Sequence, residues 1–288
     1  MVGLFFFRLG VEKKRRGFYL NIQNLHTHTT YCDGVDTPED MIIAALAKGF
    51  DSIGFSGHSF MDYSDYLGCD DKTVEYRKEI LRLKKKYEDK IKIYLGLEVD
   101  MYSGPDMTGY DYLIGSVHYL KYGEEYIGFD RGKQEVESII NRYFGGNGME
   151  YAKLYYKTLS ELPQYGKFDI IGHFDLTTKH SDNCNFFDQT SKEYLNMAFE
   201  TAEVLAKDIP FFEINTGAIA RGYRKSPYPS IPIIKYFKHL GLGAIITSDC
   251  HDKAMLDCGF DEATEILKLC GFSEKYILTD NGYIGIPL

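Results

Sequence analysis

Six of the eight histidines in this 288-residue chain, His26, His28, His58, His118, His173 and His251, lie in short motifs with glycine, serine, threonine or an acid beside them. Asp33, Glu98 and Asp249 lie in or next to similar motifs. One histidine of this kind is more often a hydrogen-bonded structural residue. Six that converge with three acids are a different matter, because desolvating so many titratable groups together is costly without counter-ions. Divalent cations remove that cost, and this number of ligands suits more than one. Imidazole mixed with carboxylate, and no cysteine cluster of metal-binding spacing, favours Zn²⁺, Mn²⁺ or Fe²⁺ over Mg²⁺ or Ca²⁺, which prefer all-oxygen shells. Paired metals about 3.5–4 Å apart activate water and clamp the oxygens of an in-line displacement at phosphorus. Metal-dependent phosphoester hydrolysis is the leading chemistry on these residues, and amide hydrolysis or deamination is the competitor. Phosphate also needs a cationic anchor. Arg221, between Gly217 and Gly222, offers a guanidinium that fits phosphate oxygens in two places. Arg224 and Lys179 are further candidates, with surface roles as the alternative for all three.

The elements that must position these groups are legible as well. Strands are expected near Asn24–Thr29, Ser52–Gly57, Ile91–Val99, Tyr112–His118, Asp169–Asp175, Phe211–Asn215 and Gly243–Ser248. Every one carries an imidazole or a carboxyl group or runs directly into one. Helical stretches alternate with them, the pattern of a parallel α/β sheet or barrel. In such barrels the site is built at the C-terminal ends of the strands. Thr37-Pro38-Glu39-Asp40 marks one helix start, and Thr190 to Glu193 reads as a capping box for another. A charged helix is expected over Lys72 to Lys90, its Lys84-Lys85-Lys86 run facing solvent. Two more, near Lys133–Phe144 and Met149–Leu162, fill the long connection before the fifth strand. Period-2 alternation puts His26 and His28 on one side of their strand. Cys32 and Cys250, beside ligand positions, are expected to face packing rather than metal.

Composition limits the partners. With 33 basic and 42 acidic side chains, a net charge of −9 argues against a nucleic-acid partner, since no basic excess displaces counterions. No stretch approaches the ~20 apolar residues needed to span a bilayer, so no membrane partner is expected. The apolar run Leu4 to Phe7 precedes the basic residues Lys13 to Arg16, the reverse of a signal peptide. Residues 1–20 read as a poorly ordered N-terminal extension, or a start set too far upstream, and residues 21–288 as a single barrel domain. Six scattered cysteines without paired close spacing fit a reducing, cytoplasmic setting. No exposed apolar stripe marks an oligomer interface.

Taken in order, His26-Thr27-His28-Thr29 with Tyr31-Cys32-Asp33-Gly34, then Gly57-His58-Ser59, Gly96-Leu97-Glu98, Gly115-Ser116-Val117-His118, Gly172-His173-Phe174-Asp175 and Ser248-Asp249-Cys250-His251, resemble the motifs of the polymerase-and-histidinol-phosphatase (PHP) superfamily. The Tyr-Cys-Asp-Gly opening, the long insert before Gly172 and the Asn215-Thr216-Gly217…Arg221 segment are similar to its stand-alone histidinol-phosphatase branch.

That resemblance implies a distorted (β/α)₇ TIM-like barrel with up to three divalent ions, Zn, Mn or Fe, at the C-terminal ends of the strands. The implied activity is hydrolysis of L-histidinol phosphate to L-histidinol and phosphate in histidine biosynthesis. The alternative is a PHP phosphoesterase acting on another small phosphomonoester or on nucleotide or nucleic-acid ends. Carried over residue by residue, His26, His28, Glu98 and Asp249 would hold the first metal. Glu98 would bridge to a second, completed by His118 and His173, and Asp33, His58 and His251 would hold a third. A hydroxide bridging the first two would attack phosphorus, while Arg221 holds phosphate oxygens. Glu98, Asp249, His251 and Arg221 would then carry the catalysis. Other family members have histidine where this chain has Asp33, and a small residue where it has Cys250. Asp175 and Asn215 read as residues that orient imidazoles or as plain structural hydrogen bonders. Glu213 reads as structural.

Overall fold

The computed structural model describes residues 22–62 and 72–288. The N-terminal extension expected over residues 1–20, and Cys69, lie outside the described residues. In chain order the elements are β1 Gln23–Asn24, α1 Pro38–Lys48, β2 Ser52–Phe55, α2 Thr73–Lys86, β3 Lys92–Asp100, β4 Tyr112–Ser116, β5 Tyr119–Tyr122, β6 Glu125–Gly128, α3 Lys133–Phe144, α4 Gly148–Ser160, β7 Ile170–Ile171, α5 Lys192–Leu205, β8 Phe211–Asn215, α6 Gly217–Ala220, α7 Ile231–Leu240, β9 Gly243–Thr247, α8 Phe260–Leu269, β10 Glu274–Thr279 and β11 Gly282–Pro287.

Seven strands pair in parallel in the order β1-β2-β3-β4-β7-β8-β9. An isolated parallel bridge between Thr27 and Cys250 brings the two edges together, His28 N donating to Cys250 O at 2.9 Å. The result is a nearly closed α/β barrel, the architecture expected. Two features depart from a regular alternation. Residues 101–111 form no helix between β3 and β4, because Gly104, Pro105 and Gly109 interrupt any helical period. Two antiparallel hairpins, β5–β6 and β10–β11, are additions the strand pattern did not single out.

Local chemistry explains the helix ends. Thr37 caps α1 by accepting from Asp40 N, Pro38 opens the helix, and Gly49 closes it at φ 81°; such a cap contributes about 1 kcal/mol. At α5 the cap is Ser191, accepting from Tyr194 N. The box expected from Thr190 to Glu193 does not form, because Thr190 turns back to Asp188. Helix α2 stops at Lys86, short of Lys90, burying Tyr76, Ile80 and Leu83. Its lysine run lies on the outer face, Lys84 paired with Asp111 at 2.7 Å and Lys86 with Glu39.

The barrel interior changes character along its axis. Towards the N-terminal ends it is apolar, filled by Leu25, Tyr94, Tyr112, Ile114, Ile170 and Ile245, and Leu278 of β10 joins them. Gln23 bonds the Leu278 backbone through both its amide oxygen and nitrogen. The Tyr112 ring crosses the interior so closely that a Cβ on Gly96 would come within 2.2 Å of it; only glycine fits there. Its hydroxyl donates to Leu25 O. Towards the other end the same strands present polar groups. Two alternations beyond Tyr94 lies Glu98, beyond Ile114 lies His118, and beyond Ile245 lies Asp249. A second apolar layer, between strands and helices, holds most of the remaining core.

Candidate metal centre

All nine expected ligand residues converge on the C-terminal rim of the barrel. Glu98, 1% exposed at the end of β3, is the hub. Its Oε2 lies 2.9 Å from His58 Nδ1, 3.3 Å from His26 Nε2 and 3.6 Å from His28 Nε2. Its Oε1 lies 2.9 Å from His173 Nε2 and 3.3 Å from His118 Nε2. Asp249 Oδ1 is 3.1 Å from His28 Nε2 and 3.6 Å from His26 Nε2. Asp33 Oδ2 meets His251 Nε2 at 3.1 Å, and Asp33 Oδ1 faces His58 Nε2 at 3.6 Å.

These atoms gather into three overlapping sets whose members lie within 4.8 Å of one another: His28, Asp33, His58 and His251; His26, His28 and Glu98; His58, Glu98 and His118. His28 and His58 each belong to two sets, whereas the scheme from the family resemblance shares only Glu98 between metals. His26 Nε2, His28 Nε2 and Glu98 Oε2 are buried with no hydrogen-bond partner, and the Nε2 atoms of His118 and His173 face each other at 3.1 Å. Buried polar atoms are rarely left unmatched in native proteins. A cation among them supplies the missing partner, so the residues fit divalent metal.

The electrostatics point the same way. Burial disfavours charge on Glu98, yet His26, His118 and His58 hold its carboxyl well below the usual range. Burial is likewise overcome at Asp249 by Arg221 and His26, and at Asp33 by His58 and His251. The imidazoles divide. Against burial, Glu213, Glu98 and Asp249 raise His26 well above its ordinary value, and Glu98 with Asp100 lifts His118 to about 10. Burial, then His251 and His58, push His28 down to about 3. The rim therefore keeps its carboxylates ionised, which is the state a cation needs.

The chain is built to aim these rings. The segment after β1 is not regular strand, so His26 and His28 are fixed by contacts rather than by pleat. Glu213 lies beneath His26, its Oε2 2.8 Å from Nδ1. Glu213 also accepts from His173 N at 2.6 Å, Thr247 Oγ1 at 2.8 Å and Asn215 Nδ2 at 2.9 Å. The expectation that Glu213 is merely structural is thus corrected: it fixes one ring and the backbone of another. Asp100, two residues beyond Glu98 and on the same strand face, lies 3.4 Å from His118 Nδ1 and accepts from its backbone N at 2.9 Å. That i+2 spacing was the available signal for Asp100. Replacing Glu213 by glutamine is expected to weaken metal binding roughly 10- to 100-fold, measured by competition with a chromophoric chelator; unchanged affinity would remove Glu213 from the support of the centre.

Asn215 orients carboxylates rather than imidazoles, donating to Glu213 and, at 3.3 Å, to Asp249 Oδ2. Asp175 touches no imidazole; it accepts from Ser230 N at 2.9 Å and faces Arg224 at 3.9 Å. Cys250 packs in the core, as expected. Cys32 does not turn away from the ligands: its Sγ is 3.4 Å from His28 Nδ1. Among described residues Asp249 alone, apart from glycines, has positive φ, at 45°, the kind of strain that native structures keep at functional sites.

Arg221 stands at the rim. Its Nη2 lies 3.1 Å from Asp249 Oδ2, and its Nη1 3.0 Å from His251 Nδ1. Arg224, a candidate phosphate binder by sequence, does not line the cavity. Its side chain, 3% exposed, is drawn inward to Asp175, donates to Thr178 and Ser226, and lies 4.7 Å from the Tyr228 ring centroid. Lys179 does line the cavity, but its Nζ is engaged with Asp130 Oδ1 at 2.7 Å. Above the ligands opens a cavity of about 170 Å³, whose wall beyond them includes Asp130, Leu176, Lys179, Arg221 and Tyr223.

With this geometry in view, comparison with known proteins is direct. The family model described as PHP domain matches residues 24–217. The chain belongs to the PHP domain family. The PHP chain is 27% identical over 262 residues to the probable histidinol-phosphatase of Schizosaccharomyces pombe, covering 82% of this chain and 81% of that one. It is 27% identical over 263 residues to the probable histidinol-phosphatase of Deinococcus radiodurans, covering 85% and 92%. The crystal structure of histidinol phosphate phosphatase from Lactococcus lactis, complexed with Zn, L-histidinol and phosphate, superposes on this PHP barrel with a TM-score of 0.73 at 22% identity, covering 92% of this chain and 99% of that one. That likeness establishes the shared fold. Among the described residues no helix is long and apolar enough to cross a membrane.

Proposed function

We propose that this protein is a metal-dependent phosphomonoesterase that hydrolyses L-histidinol phosphate to L-histidinol and phosphate. The observation that carries the reading is Glu98 within 3.6 Å of five imidazoles, with Arg221 beside the same cluster. The relatives named histidinol-phosphatase, and the Lactococcus lactis structure with its zinc, L-histidinol and phosphate, support the substrate. The free cysteines of the described residues fit the reducing setting of a cytoplasmic biosynthetic enzyme. The function is read as belonging to one barrel domain over residues 21–288.

Up to three divalent ions, Zn, Mn or Fe, would be held by His26, His28, Asp33, His58, Glu98, His118, His173, Asp249 and His251. When bound they supply a water nucleophile ionised near neutral pH and Lewis-acid stabilisation of the phosphoryl charge. The protein's own part is positioning. Arg221 points a guanidinium at the cavity, where it can take phosphate oxygens and offset the charge that grows on them. Glu213 and Asp100 hold His26 and His118 in fixed orientations.

Purified protein is expected to release inorganic phosphate from L-histidinol phosphate, to lose that activity on treatment with a chelator, and to regain it with Mn²⁺, Zn²⁺ or Fe²⁺. Activity that survives complete metal removal, verified by elemental analysis, overturns the metal chemistry. A fully metallated protein that turns over other phosphomonoesters far faster overturns the substrate and leaves the chemistry.

A further inference from the structure

Two of the buried imidazoles have a carboxylate behind them. His26 Nδ1 meets Glu213 Oε2 at 2.8 Å, and His118 Nδ1 faces Asp100 Oδ2 at 3.4 Å. Behind His28 lies a thiol instead: Cys32 Sγ is 3.4 Å from Nδ1. The other ring nitrogen, Nε2, faces Asp249 Oδ1 at 3.1 Å and Glu98 Oε2 at 3.6 Å, and it is buried with no hydrogen-bond partner. Asp33 Oδ1 is the second group near Nδ1, at 3.5 Å, but the Asp33 carboxylate also meets His251 Nε2 and His58 Nε2.

The turn after His28 brings the sulfur to this place. Cys32 N and Gly34 N both donate to Thr29 O, at 2.9 and 3.1 Å, so the chain folds back over the ring four residues earlier. Gly34 packs so closely on the His28 backbone that a Cβ would come within 2.5 Å of it. Gly57, just after β2, leaves the room the sulfur needs, since a Cβ there would lie 3.3 Å from Sγ. The His251 and His58 rings flank His28 at centroid separations of 4.1 and 4.3 Å. Such contacts restrain the plane of the ring but are indifferent to which nitrogen carries the proton. A neutral imidazole that gives Nε2 to a cation keeps its proton on Nδ1, and the partner of that proton sets the tautomer. We infer that Cys32 is the positioning residue of His28: its Sγ accepts from Nδ1–H and leaves Nε2 open to a divalent cation. This inference rests on the metal-dependent reading above and not on its substrate. A thiol is a weaker acceptor than a carboxylate, so its loss is felt less than that of Glu213.

The test uses the whole chain, stripped of metal and reloaded. In Cys32→Ala, Zn²⁺ affinity, measured by competition with a chromophoric chelator, is expected to fall roughly tenfold. Cys32→Ser, whose hydroxyl also accepts, is expected to stay within about threefold of the unsubstituted protein. In the Co²⁺-loaded proteins, the visible ligand-field bands are expected to shift in Cys32→Ala and to hold in Cys32→Ser. Unchanged affinity and bands in Cys32→Ala overturn the inference. Equal loss in Cys32→Ala and Cys32→Ser, the mark of packing alone, overturns it as well. A thiolate-to-Co²⁺ charge-transfer band in the unsubstituted protein would make Cys32 a ligand, with the same consequence. An unsubstituted protein that takes up neither Zn²⁺ nor Co²⁺ overturns the metal-dependent reading itself, a result readily told from the other three.

Discussion

Glu98→Gln is expected to lower kcat/KM for phosphomonoester hydrolysis by about 10³-fold or more, the largest loss available from a single substitution. Glutamine keeps the volume and the strand position but removes the negative charge that faces His26, His28, His58, His118 and His173. Two of the three ligand sets include this carboxylate, so more than one cation loses its anchor. A metal contributes several kcal/mol of transition-state stabilisation, and each 1.36 kcal/mol is a factor of about ten in rate. Elemental analysis of the same preparation is expected to show metal content reduced alongside turnover. A Glu98→Gln protein with full metal content and near-normal kcat/KM would place the reacting centre elsewhere.

Arg221→Met is expected to reduce kcat/KM by about 10²- to 10³-fold, the usual cost of removing one group that stabilises developing oxyanion charge. Metal content is expected to stay near that of the unsubstituted protein, because Arg221 contacts Asp249 and His251 from outside the cluster. The side chain is about a third exposed, and partly solvated ion pairs contribute little to stability. The melting temperature is thus expected to move by no more than about 2–4 °C. That combination separates a catalytic centre from a metal cluster that serves folding alone. Full activity in Arg221→Met would show that phosphate is held by other groups.

The ligand residues were legible in the sequence because parallel strands impose a rule that needs no long-range information. Each strand delivers its last inward side chain to one rim, so a histidine or acid at the end of each of several strands already implies a cluster. Helix boundaries were legible for a similar reason: Thr37, Pro38 and Gly49 act through bonds within a few residues. Where competing local bonds exist the sequence is less decisive. Thr190 and Ser191 both could cap α5, and the Asp188 side chain settles it by taking Thr190.

The partners of the ligands were another matter. Glu213 and His26 are 187 residues apart, and no spacing rule connects them. Arg224 looked like a second phosphate group because it follows Arg221 in one loop, yet the buried carboxylate of Asp175, on a different loop, turns it inward. Asp130 gave no signal, since it follows a hairpin that lacked a clear strand pattern. Its ion pair with Lys179, which lies against the Tyr223 ring, joins three segments far apart along the chain. Sequence alone determined the class of fold, the rim and the types of atom gathered there, because strand alternation and ligand chemistry are local properties. Tertiary structure alone decided which carboxylate steadies which imidazole and which cation is left to face the cavity, because charge pairing follows distance in space, and that distance is set by barrel closure.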